Sequence, residues 1–364
     1  MNISHDQILG VLRTILLPEK KMDILSLDMV QDLAIEGNKI SLSLIFPKAT
    51  HPLRNAIKNL VIKKIKDLDD TLEVNVDLKA KSQPQSVKAD EIESGIKNII
   101  AIASGKGGVG KSTVAANLAV ALAERGNRVG LVDADIYGPS IPKMFGVEDE
   151  KPMVENIEGR DRIFPIEKYG VKLLSIGFFI SPADATIWRG PMASNALKQL
   201  VLDGYWGDLD YLLIDLPPGT SDIHLTLVQT LAVTGAIVVS TPQSVALADA
   251  IKGISMFKTA NINVPILGLV ENMAWFTPAE LPDNKYYIFG KEGCKKLAET
   301  LQIPFLGQIP IVQSICESGD DGTPVVLKNE LVSLEFKKFA DNVVRAVLLR
   351  NETISQTKKV QMTR

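Results

Sequence analysis

The chain has 364 residues, of which 46% are hydrophobic and 23% charged, and its formal net charge is −3. These proportions are typical of folded globular proteins, and the length is sufficient for two domains. The charge balance gives no reason to expect nucleic-acid binding, and no apolar run approaches the roughly 18 residues of a membrane span. The first residues lack a signal-peptide pattern, and two cysteines are too few for a disulfide framework. We therefore expect a cytoplasmic protein without a nucleic-acid or membrane partner.

Residues 1–80 are predicted to form a small α+β accessory domain. Apolar residues at helical spacing begin it, and a hairpin-like pair of strands follows at Val30–Ile35 and Lys39–Phe46. A second helix is predicted from about His51 to Leu68, and a closing strand from Leu72 to Leu78. Residues 81–96 are polar, which is typical of an exposed linker.

Residues 97–350 are predicted to form an α/β domain, with residues 351–364 as a tail. Short apolar strands alternate with helical stretches, which predicts a mostly parallel sheet covered by helices on both faces. The predicted strands are Ile99–Ala103, Val129–Asp133, Leu173–Ile176, Tyr211–Asp215, Ala236–Ser240, Ile266–Glu271 and Phe305–Ile309. The predicted helices are Ser112–Arg125, Ser194–Leu202, His224–Leu231, Val245–Thr259 and Lys291–Leu301. A final apolar helical face in Leu331–Leu349 predicts docking on the sheet, with membrane anchoring as the alternative.

The segment after the first of these strands has the sequence of a phosphate-binding loop. It matches G-x-x-x-x-G-K-[ST] between a strand and a helix, as the motif requires. The residues are Gly105, Lys106, Gly107, Gly108, Val109, Gly110, Lys111, Ser112 and Thr113. Glycines let backbone N–H groups approach phosphate oxygens, Lys111 supplies charge to the β- and γ-phosphates, and the Ser112 hydroxyl ligates Mg²⁺. We predict binding and hydrolysis of ATP, with GTP as the alternative nucleotide.

The same glycines also fit the dinucleotide pattern G-x-G-x-x-G. Asp133 then lies near the position of a ribose-binding acid. Lys111 and Ser112 favour the triphosphate interpretation, because a dinucleotide site has no use for a lysine and a hydroxyl at those positions.

Carboxylates at two further strand ends are expected beside this loop, because ligands of parallel sheets bind beyond the carboxyl ends of the strands. Asp133 and Asp135 follow the second strand, and Asp215 ends another strand before a Pro-Pro-Gly turn. An aspartate at the tip of an apolar strand is typical of a Mg²⁺ ligand. Asp135 is the better candidate for orienting the attacking water, whereas Asp133 either contacts Mg²⁺ or caps a turn. Asn272, after another strand, is a candidate for contacting the base.

The phosphate loop resembles the deviant Walker A motif of the MinD/ParA/nitrogenase iron protein class. In that class an additional lysine, here Lys106, reaches across a nucleotide-sandwich dimer. The N-terminal domain and further stretches resemble the Mrp (ApbC-like) family of iron–sulfur cluster carrier ATPases. These stretches are Asp133–Ser140, Trp188–Met192, Asp215–Asp222, Glu271–Met273 and Gly319–Pro324.

The resemblance implies a homodimeric ATPase that binds iron–sulfur clusters and transfers them to apoproteins, with iron–sulfur assembly proteins as further partners. It assigns phosphate and Mg²⁺ contacts to Lys106, Lys111 and Ser112. It makes Asp135 the switch acid, Asp215 the Walker-B-like Mg²⁺ acid and Asn272 a base contact. The alternative within this class is a nucleotide-switched scaffold or regulator that does not itself hold a cluster.

The chain departs from the family where cluster ligands are expected. In many members a C-x-x-C after the Asn-Met pair lets a dimer hold one [4Fe-4S] cluster, but Ala274–Pro282 contains no cysteine. The small domain has Thr50-His51-Pro52 where relatives often carry Cys-Pro. The remaining candidate ligands are Cys294, which has core spacing in a predicted helix, and Cys316, in a predicted loop.

Overall fold

The computed structural model of the protein describes residues 5–17, 22–27, 29–46, 54–80, 95–136, 138–179, 190–220, 222–259, 262–278, 280–281 and 283–355. The chain divides into two compact units, Met1–Ser86 and Val87–Arg364. Each unit has its own hydrophobic core.

The N-terminal unit is a small α+β domain. Its elements are α1 (His5–Leu12), β1 (Leu16–Leu17), β2 (Met22–Asp23), β3 (Val30–Glu36), β4 (Lys39–Phe46), α2 (Arg54–Lys66) and β5 (Glu73–Ala80). β4 is the central strand, antiparallel to β3 and parallel to β5. Its core includes Ile8 of α1, Phe46 of β4 and Ile57 of α2. The predicted hairpin and second helix are confirmed, whereas Thr50-His51-Pro52 lies outside the described residues.

The C-terminal unit is built on an eight-stranded sheet with the order β10-β11-β7-β12-β6-β13-β14-β15. The strands are β6 (Ile99–Ala103), β7 (Val129–Asp133), β8 (Met153–Ile157), β9 (Arg160–Phe164), β10 (Ile166–Lys168), β11 (Val171–Ser175), β12 (Tyr211–Asp215), β13 (Gly235–Ser240), β14 (Ile266–Glu271) and β15 (Phe305–Gln308). The helices are α3 (Lys111–Ala123), α4 (Ile141–Met144), α5 (Gly190–Leu202), α6 (Asp222–Thr230), α7 (Ser244–Lys258), α8 (Gly293–Leu301), α9 (Gln313–Asp320) and α10 (Glu330–Thr353). Short 3₁₀ turns lie at Ile176–Phe178 and Val325–Leu327.

The central strands are buried because helices cover both faces of the sheet, which confirms the predicted α/β class. Successive residues of β6 enter different cores: Ile100 and Ile102 pack with α3 and α10, and Ala101 and Ala103 pack with α5 and α6. All paired strands of this sheet are parallel except β10, which runs antiparallel to β11 at one edge. β10 and the separate β8–β9 hairpin were not predicted from the sequence, because neither forms an apolar run and β8 is largely exposed.

The C-terminal helix docks on the sheet, as predicted. Its buried face, which includes Phe336, Phe339 and Val343, belongs to the same core as α3. Among the residues that the structure describes, no helix combines the length and apolarity that crossing a membrane requires.

Candidate nucleotide-binding site

The sheet order brings the predicted site residues to one edge. β7, β12 and β6 are neighbours, so the phosphate loop after β6 lies beside the carboxyl ends of the other two strands. Asp133 and Asp215, the last residues of β7 and β12, are paired in register. The Pro-Pro-Gly turn is joined to the loop, because Gly219 N donates a hydrogen bond to Ser104 O at 2.9 Å.

Two glycines of the phosphate loop are required by close packing. Gly110 precedes α3 with φ of +79°, and a Cβ there would overlap the Asn272 side-chain nitrogen. A Cβ on Gly105 would overlap the backbone of Asp249 in α7. The loop is therefore confined between α7 on one side and the end of β14 on the other, and only glycine fits at these two positions.

A buried ion pair lies at the start of α3. Lys111 Nζ is 2.6 Å from Asp215 Oδ1 and 3.2 Å from Ser112 Oγ. The Lys111 and Asp215 side chains are only 5% and 0% exposed. Burial raises the pKa of Asp215, and the nearby Lys111 charge partly opposes that rise.

The other carboxylate oxygen of Asp215 marks the site as suited to a cation. Asp215 Oδ2 is buried and has no hydrogen-bond partner among the described residues. Buried polar atoms are nearly always paired in folded proteins, so an unpaired carboxylate oxygen indicates a missing ligand. Together with the Ser112 hydroxyl it offers the oxygen ligands that Mg²⁺ prefers, and these residues therefore fit a magnesium ion.

Asp133 is engaged by the protein itself. Its Oδ1 accepts a hydrogen bond from Asp135 N at 3.2 Å, and its Oδ2 accepts from Ile141 N and Ser175 Oγ, both at 3.1 Å. Burial, reinforced by the charge of Asp215, raises the pKa of Asp133 to about 7. These contacts favour the capping alternative for Asp133, because both of its oxygens brace the loop that leads to α4. Asp135 follows two residues later and is partly exposed.

Asn272 connects the phosphate loop to an adjacent cavity. Its Nδ2 donates to Val109 O at 2.8 Å, a bracing contact that the sequence analysis did not foresee. Asn272 also lines a cavity of about 440 Å³, within the usual range for small-molecule sites. Gly110 and Thr113 form one side of this cavity, and Pro310 and Ile311 form part of the other. A base contact by Asn272 stays a prediction, and its position beside the loop is compatible with that role.

Glu271, which was predicted only as part of the stretch Glu271–Met273, is a buried carboxylate next to Asn272. Glu271 is fully buried at the end of β14. Its Oε2 accepts from Cys294 N and its Oε1 accepts from Gln308 Nε2, both at 2.7 Å. The signal for Glu271 in the sequence was an acidic residue at the end of an otherwise apolar strand. Glu271 joins β14, α8 and β15 behind the cavity.

The two cysteines lie in different environments. Cys294 is fully buried, and burial together with Glu271 raises the pKa of its thiol, so it is poorly placed as a cluster ligand. Cys316 is exposed and lines the cavity from α9. The prediction of a loop around Cys316 was wrong, because Gln313–Asp320 has few apolar residues and contains Gly319 yet forms a helix. Within the described ranges no group of three His, Cys, Asp or Glu side chains could hold a metal ion.

Two predicted features remain, Lys106 and the stretch Trp188–Met192. Lys106 is partly exposed in the phosphate loop. Trp188 and Arg189, from the stretch Trp188–Met192, lie outside the described residues.

Both units of the chain are similar to known proteins. A family described as NUBPL iron-transfer P-loop NTPase matches residues 95–347, and an iron-sulfur cluster assembly protein family matches residues 5–78. An iron-sulfur cluster carrier protein from Synechocystis is 43% identical over 326 residues, covering 89% of this chain and 92% of the relative.

Two solved structures are similar to the chain. The first, an Archaeoglobus fulgidus nucleotide-binding protein in complex with ADP, is 36% identical with a TM-score of 0.59, covering 70% of this chain and 98% of that one. The second, the septum site-determining protein MinD of Pyrococcus horikoshii complexed with Mg-ADP, is 26% identical with a TM-score of 0.51, covering 70% and 99%. The chain therefore belongs to the family of NUBPL iron-transfer P-loop NTPases.

Proposed function

We propose that this chain is an ATP-binding and ATP-hydrolysing carrier of iron–sulfur clusters that works as a nucleotide-dependent homodimer. The observation that carries the nucleotide part of the proposal is the buried pair Lys111–Asp215 with its unpaired oxygen Oδ2, which lies beside the glycine loop and a cavity of about 440 Å³. The carrier part rests on the family to which the chain belongs. The ADP and Mg-ADP in the two similar structures support a nucleotide at the corresponding edge.

In the proposed hydrolysis the protein contributes position and charge, since phosphoryl transfer needs little covalent chemistry from it. Ser112, Asp215 and Asp135 would hold Mg²⁺, which when bound neutralises charge on the phosphates. Lys111 would leave Asp215 for the phosphate oxygens, and Lys106 of the second copy would approach the same phosphates. Asp135 would orient the water that attacks the γ-phosphorus, so that the bond to the bridging oxygen breaks and ADP and phosphate are released.

Substitution of Lys111 tests the nucleotide site. We expect Lys111→Ala to lose at least about 100-fold in ATP affinity and to lose hydrolysis, because the phosphate charge is no longer matched. Calorimetric titration and phosphate release would measure both quantities. Lys338→Ala, at an exposed lysine of α10, is the matched control and should change neither. Undiminished turnover by Lys111→Ala would sink the proposal.

The cluster is the cargo, and the chain offers few ligands for it. A [4Fe-4S] cluster is usually held by four thiolates, whereas each copy has one exposed cysteine, Cys316. We propose that acceptor or donor proteins supply part of the ligand set. The same observation favours a second candidate function, a nucleotide-switched scaffold of iron–sulfur assembly that does not itself hold a cluster.

Anaerobic reconstitution with iron and sulfide separates these two functions. Visible absorbance and iron content would be measured for the wild type, Cys294→Ser and Cys316→Ser. A carrier should bind a cluster, and Cys316→Ser should weaken that binding while Cys294→Ser does not. If the wild type binds no cluster, either alone or with an acceptor protein, the carrier function is excluded and the scaffold function remains.

A further inference from the structure

A strand edge in the C-terminal unit has no part in the nucleotide site. β8 and β9 form a two-stranded antiparallel hairpin that is separate from the eight-stranded sheet. Its turn residues Glu158 and Gly159 have φ of +52° and +80°, as the preferred two-residue hairpin turn of type I′ requires. This turn fixes a register in which Val154 of β8 lies opposite Ile163 of β9.

The outer edge of β9 is already occupied by the chain that follows α5. Ile163 N donates a hydrogen bond to Asp203 O at 2.8 Å, and Ile163 O accepts one from Tyr205 N at 2.7 Å. Both backbone groups of Ile163 therefore point away from β8. In an antiparallel ladder this makes Ile163 and Val154 a pair without hydrogen bonds between them.

The outer edge of β8 is open. Because backbone groups alternate along a strand, the N–H and C=O groups of Val154 and Asn156 point away from β9. None of these four groups has a hydrogen-bond partner in the part of the chain that the structure describes. All of β8 except Ile157 is exposed, so a further strand can reach them. Exposed and unpaired backbone groups on a strand edge are a template for addition of another strand.

Apolar side chains extend from this edge across the hairpin. Met153 of β8 is 64% exposed and lies opposite Phe164 of β9. The centroid of the Phe164 ring is 4.9 Å from that of Tyr205, which is 49% exposed. Val154 points to the other face of β8 and is 54% exposed. A strand added to β8 would therefore find apolar side chains on both of its faces.

The charge of the hairpin indicates what covers this edge. Residues 148–162 contain six acidic and three basic side chains. Two of the basic side chains bind the body of the domain. Lys151 Nζ donates to Phe178 O at 2.9 Å, and Arg162 donates to Leu202 O at 3.2 Å. The acidic side chains are all exposed: Glu148, Asp149, Glu150, Glu155, Glu158 and Asp161.

This surface favours a partner of opposite charge over a second copy of the same edge. Two copies of β8 would bring equal charges together, and like charges on adjacent strands are destabilising. Charged side chains on an edge strand prevent self-pairing in this way. A basic strand, in contrast, meets a complementary potential.

We propose that β8 is a docking site at which a partner protein adds an extended segment that alternates basic and apolar residues. The backbone groups of Val154 and Asn156 accept and donate the hydrogen bonds of the added strand. Glu155 and Glu158 pair with its basic side chains. The site uses neither the nucleotide nor a cluster, so it does not depend on the proposed function.

Fluorescence anisotropy with labelled ten-residue peptides tests the site on the full chain. The probe alternates lysine and valine. One control alternates glutamate and valine, and a second is the lysine probe with N-methyl groups on its four central residues. We expect the chain to bind the lysine probe with a dissociation constant below about 1 mM, and both controls at least about tenfold more weakly. N-methylation removes backbone donors at unchanged charge, so it distinguishes strand addition from charge attraction alone.

Val154→Pro closes the edge without breaking the hairpin. The Val154 N–H faces away from β9, so a proline there removes no hydrogen bond of the β8–β9 ladder. We expect the variant to bind the lysine probe at least about tenfold more weakly, because one donor is lost and the ring blocks the approaching strand. Val154→Ile keeps the N–H group, and as the matched control it should bind within about twofold of the wild type. Unchanged circular dichroism and ADP affinity would show that both variants are folded.

Charge reversal tests the acidic surface separately. Glu155→Lys/Glu158→Lys should weaken binding of the lysine probe at least about fivefold and strengthen binding of the glutamate peptide. Glu299→Lys/Glu352→Lys reverses two exposed acids elsewhere in the C-terminal unit. It is the matched control for net charge and should bind the lysine probe within about twofold of the wild type.

The outcomes separate a partner protein from other occupants of the edge. A wild type that binds the lysine probe no better than either control peptide, or normal binding by Val154→Pro, would overturn the docking site. Self-association of the wild type that Val154→Pro abolishes in sedimentation would assign the edge to a second copy. Residues 356–364, which lie outside the described residues, carry Lys358, Lys359 and Arg364. Binding of the probe that appears only after their removal would assign the edge to this part of the chain and overturn the partner.

Discussion

The two ends of strand β12 carry aspartates in opposite electrostatic situations. Asp210, just before the strand, accepts a backbone hydrogen bond of 2.9 Å from Arg128 and forms ion pairs with Lys97 and Arg128 at 2.9 and 3.3 Å. Hydrogen bonds from Arg128 and Lys97 lower the pKa of Asp210. Asp215, at the carboxyl end, is fully buried with one oxygen unpaired, and burial raises its pKa.

The two carboxylates differ in role: Asp210 stabilises the fold, whereas Asp215 is placed to bind a ligand. At the amino end the carboxylate is already matched by cations in contact with water, so it adds a modest increment of stability and no reactivity. At the carboxyl end the charges are buried and incompletely matched, which costs stability unless a ligand completes the set. Substitutions at the two ends should therefore affect different measurements.

The largest effect is expected from Gly110→Ala at the carboxyl end. The positive φ disfavours a Cβ, and that Cβ would also displace Asn272, so the loop should lose its phosphate-binding shape. We expect at least about a 100-fold loss of ADP affinity in calorimetric titration, because backbone hydrogen bonds to the charged phosphates would be lost and each is worth about 1.5–3 kcal/mol. Gly126→Ala is the control, because Gly126 has a φ of +80° but open space around it. Gly126→Ala should keep its ADP affinity, and equal losses in the two variants would contradict a local effect of Gly110 on the phosphate loop.

Asp133 and Asp135 should separate stability from turnover. Asp133→Ala leaves the buried Ile141 N and Ser175 Oγ without an acceptor, which should lower the free energy of unfolding by about 2–4 kcal/mol. Asp135→Ala should change it by less than about 0.5 kcal/mol. It should instead slow ATP hydrolysis at least about 100-fold, as expected for a group that positions water. Urea denaturation and phosphate release measure the two effects, and the reverse pattern would exchange the roles of the two acids.

The sequence predicted the parts of this edge that depend on local pattern. β6, β7 and β12 are continuous apolar runs because central parallel strands are buried on both faces, and their bounds match the predicted ones. The phosphate loop was equally predictable from the sequence, because phosphate binding requires particular residues at fixed spacing.

Contacts between distant residues could not be predicted in this way. The hydrogen bond from Ser175 to Asp133 joins β11 to β7, and the one from Asn272 to Val109 joins the end of β14 to the phosphate loop. No spacing rule connects these positions. The hairpin β8–β9 was missed for another reason: β8 is largely exposed and β9 only partly buried, so neither strand shows an alternation of buried and exposed residues. Charged residues at strand ends were visible in the sequence, but whether each binds the protein or a ligand depends on these non-local partners.

The smallest effect is expected at the amino end, from Asp210→Asn. The lowered pKa of Asp210 means that the unfolded chain takes up this proton at higher pH than the folded protein. Its stabilisation, about 1 kcal/mol for a pair this close to water, should be complete above the ordinary aspartate pKa of about 4 and should fade as the pH falls below it. Urea denaturation between pH 6 and pH 3 should therefore show the wild type and Asp210→Asn converging at low pH, with unchanged ADP affinity. Asp149→Asn, at an exposed aspartate, is the control, and a difference that stays constant with pH would show that the Asp210 contacts act through shape rather than charge.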